Sequence, residues 1–150
     1  MKNIAELQRL YAAYLADHRF EQAPSELYDP VNYIMELGGK RLRPVLTMLS
    51  YQLFASDLEK VLPAAHAVEL FHNFSLVHDD IMDAAPLRRG RPTVHERYNR
   101  NTAILSGDVM LIYVYDFLAR AGDPAVQAAL FGVFNRVAIE VCEGQQLDMN

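Results

Sequence analysis

Three aspartates, Asp79, Asp80 and Asp83, close an apolar helix-like run, and three arginines, Arg88, Arg89 and Arg91, follow within eight residues of Asp83. Carboxylates at a helix C-terminus oppose the macrodipole, which favours cations there. Clustered like charges also repel one another unless something positive lies between them. A hard divalent cation is the simplest remedy, and Mg²⁺ is held by one or two carboxylates together with substrate phosphates. The nearby arginines carry the planar donors that grip phosphate oxygens. The segment points to metal-assisted chemistry on a diphosphate. The bland alternative is a solvated acidic turn neutralised by its arginines.

The helix around the aspartates weighs against that alternative. At about 100° per residue, His72, Asp79 and Asp83 fall within about 40° of one another, a stripe of one imidazole and two carboxylates. Val68, Leu70, Phe71, Phe74, Leu76, Val77, Ile81 and Met82 clothe the rest. A helix apolar nearly all round is buried, and buried charges are rarely left without a partner. The stripe therefore faces a polar cavity or a ligand. His78 lies about 100° from Asp79 and is read as packing or support.

A second anomaly lies upstream, in Gly38-Gly39-Lys40-Arg41-Leu42-Arg43-Pro44. Three cations crowd a helix start whose free N–H groups already favour anions, and the glycines let backbone approach a ligand closely. The spacing is not that of a Walker loop.

The elements that hold these residues are all helical, because apolar residues recur at helical spacing and no stretch alternates with period two. A first amphipathic helix uses Ile4, Leu7, Leu10, Tyr11 and Tyr14. A second runs from about Ser25 to Leu37, a third from near Pro44 to Phe54, and a fourth from near Pro63 through the aspartates. Thr93-Val94-His95-Glu96 matches a capping box and so starts a short helix. Another spans about Asn101 to Ala121, and Asp123-Pro124 opens a last one. The expected fold is a bundle of mostly antiparallel helices in a single domain, 1–150. The last helix runs to the end of the chain without a stop signal, so the domain is expected to be incomplete. Glu69 and Glu140 lie inside helices as candidate buried partners with no assigned role.

Composition is globular, with 51% hydrophobic residues and no low-complexity tract. The net charge is −5 and the basic residues gather at two sites, so nucleic acid is not an expected partner. The single cysteine, Cys142, suits a reducing compartment; set in an apolar helix, it is expected in the core. No uninterrupted apolar run approaches the ~18 residues of a membrane span, and the N-terminus does not resemble a signal peptide. The expected setting is soluble and cytoplasmic.

Taken together, in order, GGKRLRP, His72, DDIMD with RRGRPTVH, and GQQLD resemble the trans-isoprenyl diphosphate synthase (polyprenyl synthetase) family. The resemblance spans the chain but only the N-terminal half of the family domain. It implies an isoprenoid synthase-type helical fold, Mg²⁺ as cofactor, a homodimer, and condensation of isopentenyl diphosphate with an allylic prenyl diphosphate. Asp79 and Asp83 then resemble the metal ligands, with Asp80 in support. Arg88 resembles the arginine that grips the allylic diphosphate. Lys40, Arg43, His72 and Arg89 resemble the group that binds isopentenyl diphosphate, with Gly39 and Arg41 in the same loop. Gln145 and Asp148 match a helix flanking the allylic substrate.

The same resemblance bears on product length. Phe74, five residues before Asp79, matches an aromatic of the short-chain members, and Ser75 beside it is small. DDIMD lacks a two-residue insertion, which favours geranylgeranyl over farnesyl diphosphate. The alternative for Phe74 is ordinary core packing. The family's second aspartate-rich motif and a later lysine region are not among these residues, which leaves half a metal site. A non-catalytic partner subunit is the main rival, but such subunits generally lose aspartates and all three stand here. A terpene cyclase is disfavoured by GGKRLRP, since cyclases bind no isopentenyl diphosphate. A ligand-free helical module is the remaining possibility.

Overall fold

The computed structural model describes all 150 residues. In chain order it contains α1 (Ile4–Asp17), α2 (Ser25–Glu36), α3 (Leu42–Gln52), a 3₁₀ turn (Leu58–Lys60), α4 (Leu62–Met82), β1 (Leu87–Arg88), β2 (Arg91–Pro92), α5 (Val94–Arg97), α6 (Arg100–Leu118) and α7 (Pro124–Met149). Side-chain caps set several of the starts. Asn3 and Glu6 form a reciprocal capping box at α1, and Asn99 accepts from the Thr102 N–H at α6. Asp123 accepts from the Ala125 and Val126 N–H groups ahead of Pro124. Each satisfies donors that the first helical turn leaves free.

α4 is the axis of the fold. Its buried face is rich in small residues, Ala64, Ala65 and Ala67, with Leu70 and Val77, so neighbouring helices approach closely. α6 runs antiparallel to it. The His78 Nε2 lies 3.2 Å from the Ile104 carbonyl at one end, and the His66 ring meets Phe117 edge-on at 4.5 Å near the other. A Cβ at Gly107 would stand 2.3 Å from His78 Nε2, so the glycine is what lets α6 pass. Leu7 and Tyr11 of α1, Val31 and Ile34 of α2, and Val45 and Met48 of α3 complete the core. α7 runs parallel to α4, meeting it at Phe71–Phe134 and again at Asp79–Gln145.

The all-α expectation holds, with one short hairpin added, in which β1 and β2 pair antiparallel, Leu87 with Pro92 and Arg88 with Arg91. Three expectations need correction. The Thr93 capping box does not form; the Thr93 side chain makes no cap bond, and its hydroxyl points to the Ala85 carbonyl, to which it donates at 2.8 Å. Cys142 is exposed rather than in the core. Finally, α7 is long and apolar enough, by length and composition, to cross a membrane. Asn135, Arg136 and Glu140 break its apolar runs without lowering the average below that of a span. Leu130, Phe131 and Phe134 pack against the core, while Val133, Ile139 and Leu147 stay exposed.

Buried His66 gives the fold an acid limit. The Tyr11 hydroxyl lies 3.0 Å from its Nδ1, and Nε2 has no partner. Burial, then the charges of His18, Arg120 and Arg41, push its pKa down to about 3. The folded protein therefore keeps His66 neutral where the unfolded chain, titrating near 6.5, takes up a proton. Its contribution is full above pH ~6.5 and is lost as pH falls from there towards 3, at up to about 1.4 kcal/mol per pH unit. Urea midpoints measured at pH 7, 6 and 5 should fall less steeply in His66→Gln than in the wild type. Parallel pH profiles would count against this.

Candidate active site

The loop between α2 and α3 can follow its path only because glycines stand at Gly38 (φ 87°) and Gly39 (φ 124°). A Cβ at Gly39 would stand 3.0 Å from the Arg89 guanidinium carbon, so that guanidinium lies flat against the loop and donates to the Gly38 carbonyl. Arg89 is aimed by the hairpin. Arg89 (φ 53°) and Gly90 (φ 75°) form the turn between β1 and β2, with positive φ at both positions as a two-residue type I′ turn requires.

The loop and hairpin together bring Lys40, Arg41, Arg43, His72 and Arg89 around a cavity of about 80 Å³, with Glu69 the one carboxylate in its lining. Burial, followed by the charge of Arg43, lowers the His72 pKa. Burial and then Arg41 pull down that of Arg89. Cations that weaken one another in this way are stabilised by an anion placed among them.

The three aspartates take three different situations. Asp79 accepts a hydrogen bond from the Gln145 amide, Nε2 to Oδ1 at 2.8 Å. Asp80 is buried and holds Arg88 bidentately, with Nε and Nη2 each 2.8 Å from a carboxylate oxygen. That contact leads the causes that raise the Arg88 pKa. Asp83 caps the end of α4 and is exposed. Arg88 is thus anchored to Asp80, leaving Nη1 for a ligand. No three His, Cys, Asp or Glu side chains converge as a ready-made metal cage. The donor set of Asp79 and Asp83 is two hard carboxylates, which fits Mg²⁺ completed by phosphate oxygens and water.

A second cavity of about 500 Å³ runs from Asp79 between α4 and α7. Arg43, His72, Asp79 and Gln145 make its polar end, and Phe71, Val68, Val137 and Val141 its apolar wall, with Ser75 between. Phe74 does not line it; its ring packs on His78 at 4.8 Å and on Phe71 at 5.8 Å. The aromatic on the wall is Phe71, braced edge-on by Phe134 at 5.0 Å. Asp148 is exposed and makes no hydrogen bond or ion pair in the structure. The residues that spacing and resemblance left unassigned are Phe71, Glu69 and Asn73. A glutamate on an apolar helix face was the available signal for Glu69.

Residues 24–150 match the polyprenyl synthetase family. The chain is 44% identical over 124 residues to a short chain isoprenyl diphosphate synthase of Methanocaldococcus jannaschii, covering 83% of this chain and 38% of that protein. It is 44% identical over 128 residues to a geranylgeranyl diphosphate synthase of Methanosarcina mazei, covering 85% of this chain and 40% of that one. A crystal structure of a geranylgeranyl pyrophosphate synthase superposes with a TM-score of 0.96 at 48% identity, over 99% of this chain and 45% of that one. The fold is the helical architecture of isoprenoid synthases, and the chain belongs to the polyprenyl synthetase family. It spans about two-fifths of the length of these curated relatives.

Proposed function

We propose that this chain carries the substrate-binding half of a short-chain prenyl diphosphate synthase, which joins isopentenyl diphosphate to an allylic diphosphate with geranylgeranyl or farnesyl diphosphate as product. One observation carries the reading: Arg43 and His72 line both the small basic cavity and the larger cavity beside Asp79. Two diphosphates bound there would lie side by side, one with an apolar wall for its tail. The names of the relatives support the same chemistry.

In this reading Lys40, Arg43 and Arg89 hold the isopentenyl diphosphate, and a ring N–H of His72 donates to it. Asp79 and Asp83 would hold Mg²⁺, which when bound neutralises the leaving diphosphate as a Lewis acid. Arg88, fixed by Asp80, adds a preorganised donor to the same oxygens. The apolar wall from Phe71 to Val141 keeps water from the allylic carbon once its C–O bond breaks. The isopentenyl double bond then attacks that carbon, and the new tertiary cation loses a proton to the departing diphosphate to form the product's double bond, so no nucleophilic side chain is required and catalysis is positioning and charge stabilisation. Exposed Leu105 and Ile112 on α6 and Ile139 on α7 support a second copy packing there as a homodimer. The exposed thiol of Cys142 supports a reducing, cytoplasmic setting.

Steady-state kinetics of the full enzyme with both substrates test the assignment. Lys40→Ala and Arg43→Ala should each raise KM for isopentenyl diphosphate by about 10- to 100-fold, the loss of one charge-assisted contact. Arg88→Ala should instead lower kcat. If the wild type joined no two prenyl diphosphates, the reading would be wrong.

The wall gives a further expectation for product length. Phe71→Ala should open the space between Val68 and Phe134 and lengthen the product by one or more five-carbon units, whereas Phe74→Ala should not. Product chromatography separates the two outcomes, and longer chains from Phe74→Ala alone would reverse the assignment.

A further inference from the structure

Arg41 stands in the middle of the basic loop, yet its guanidinium is turned back into the fold. Nη1 donates to Glu69 Oε1 at 2.8 Å, and Nη2 donates to the Met35 carbonyl at the end of α2. The same Glu69 oxygen accepts from Asn73 Nδ2 at 3.3 Å, and that amide also donates to the Glu69 carbonyl at 2.8 Å. The Glu69 side chain is only 4% exposed and Asn73 is fully buried. The loop is therefore tied to α4 within one turn of His72. Arg41 makes these bonds from a left-handed backbone, φ 51° and ψ 37°. That conformation is unfavourable for a residue with a Cβ and persists only where the surroundings fix it.

We propose that Glu69, steadied by Asn73, is a positioning residue that clamps Arg41 and so sets the loop on which Lys40, Arg43 and Arg89 converge on one diphosphate. The inference rests on the reading of the basic cavity as a diphosphate site. Lys40 and Arg43 lie one and two residues from Arg41, and Arg89 bonds the loop at Gly38, so the path of the backbone decides where all three cations stand. The sign of the effect is diagnostic. Removing the Glu69 carboxylate makes the cavity more positive, which by Coulomb attraction alone would tighten anion binding. Weaker binding is the signature of lost positioning.

The clamp and the basic cluster both lie within these 150 residues, so inorganic pyrophosphate in metal-free buffer is a sufficient probe, followed by calorimetry. Glu69→Ala should weaken binding at least about tenfold, and Arg41→Ala on that background should add little, as expected for two residues acting as one unit. Glu69→Gln keeps an oxygen for Arg41 and Asn73 and should stay within about threefold of wild type. Arg41→Lys keeps the charge without the forked geometry and should lose about tenfold even if Glu69→Ala does not fold. Ser106→Ala, which removes the buried hydrogen bond from α6 to the Leu27 carbonyl near the start of α2, should lower the melting temperature without changing affinity and so controls for a merely structural loss. Wild-type affinity in Glu69→Ala or in Arg41→Lys, or tighter binding in either, overturns the clamp. No binding by the wild type would overturn the diphosphate reading itself, and the clamp with it.

Discussion

Alanine at both Asp79 and Asp83 is expected to lower kcat/KM for condensation by at least about three orders of magnitude, since one lost transition-state contact of this kind already removes about 10²–10³. The fold should not suffer. Asp79 has only a neutral amide as partner, Gln145, and Asp83 is exposed at the end of α4. Removing negative charge from a helix C-terminus relieves an unfavourable dipole interaction of some 0.3–1 kcal/mol per charge. The double variant should therefore melt at or slightly above the wild-type temperature while losing turnover. Thermal melts and Mg²⁺-dependent turnover of the full enzyme, measured on the same preparation, read both halves. Turnover within tenfold of wild type, with its Mg²⁺ dependence intact, would remove the pair from the metal site.

The parts of this site that were legible in the sequence are those set by local rules. α4 declares itself by periodicity, its aspartates by their position, and α7 by Asp123-Pro124. Gly38-Gly39 and the run of cations mark the loop that lines the basic cavity. What was not legible depends on partners far along the chain. A buried Glu69 announces that it needs a cation, but nothing local says that the cation is Arg41, 28 residues away. Thr93 has the right neighbours for a capping box, and its side chain is instead turned towards the Ala85 carbonyl of the preceding loop. Strands of two residues are too short for alternation to register.

Phe71 is a different case. At about 100° per residue it lies about 80° from Asp79 and Phe74 about 140°, so Phe71 stands nearer the Asp79 face of the helix. The family resemblance pointed to Phe74. Because α7 packs through Phe134 and Gln145, it is Phe71 that lines the cavity. Cys142 follows the same logic, because α7 carries more apolar surface than α4 and α6 cover.

Asp80→Ala is expected to be the most damaging single change near the aspartates for both stability and turnover. Asp80 is 4% exposed at the side chain and its partner Arg88 is 23% exposed, so the pair is largely shielded from solvent. Losing one partner of such a bidentate contact should destabilise the fold by about 2–3 kcal/mol, at the lower end for buried pairs because Arg88 can turn to water. The functional effect reaches further than the metal. The hairpin that carries Arg88 to Asp80 also carries Arg89 to the basic cavity. Releasing Arg88 therefore loosens both proposed diphosphate subsites: kcat should fall about 100-fold, and KM for isopentenyl diphosphate should rise, a combination not expected of Lys40→Ala. Asp80→Asn keeps the shape and one acceptor and should fall between the two. In a double-mutant cycle, Asp80→Ala and Arg88→Ala should be strongly non-additive in kcat. Additive losses, or an Asp80→Ala enzyme with kcat within threefold of wild type and an unchanged melting temperature, would mean that Arg88 reaches its ligand without the anchor.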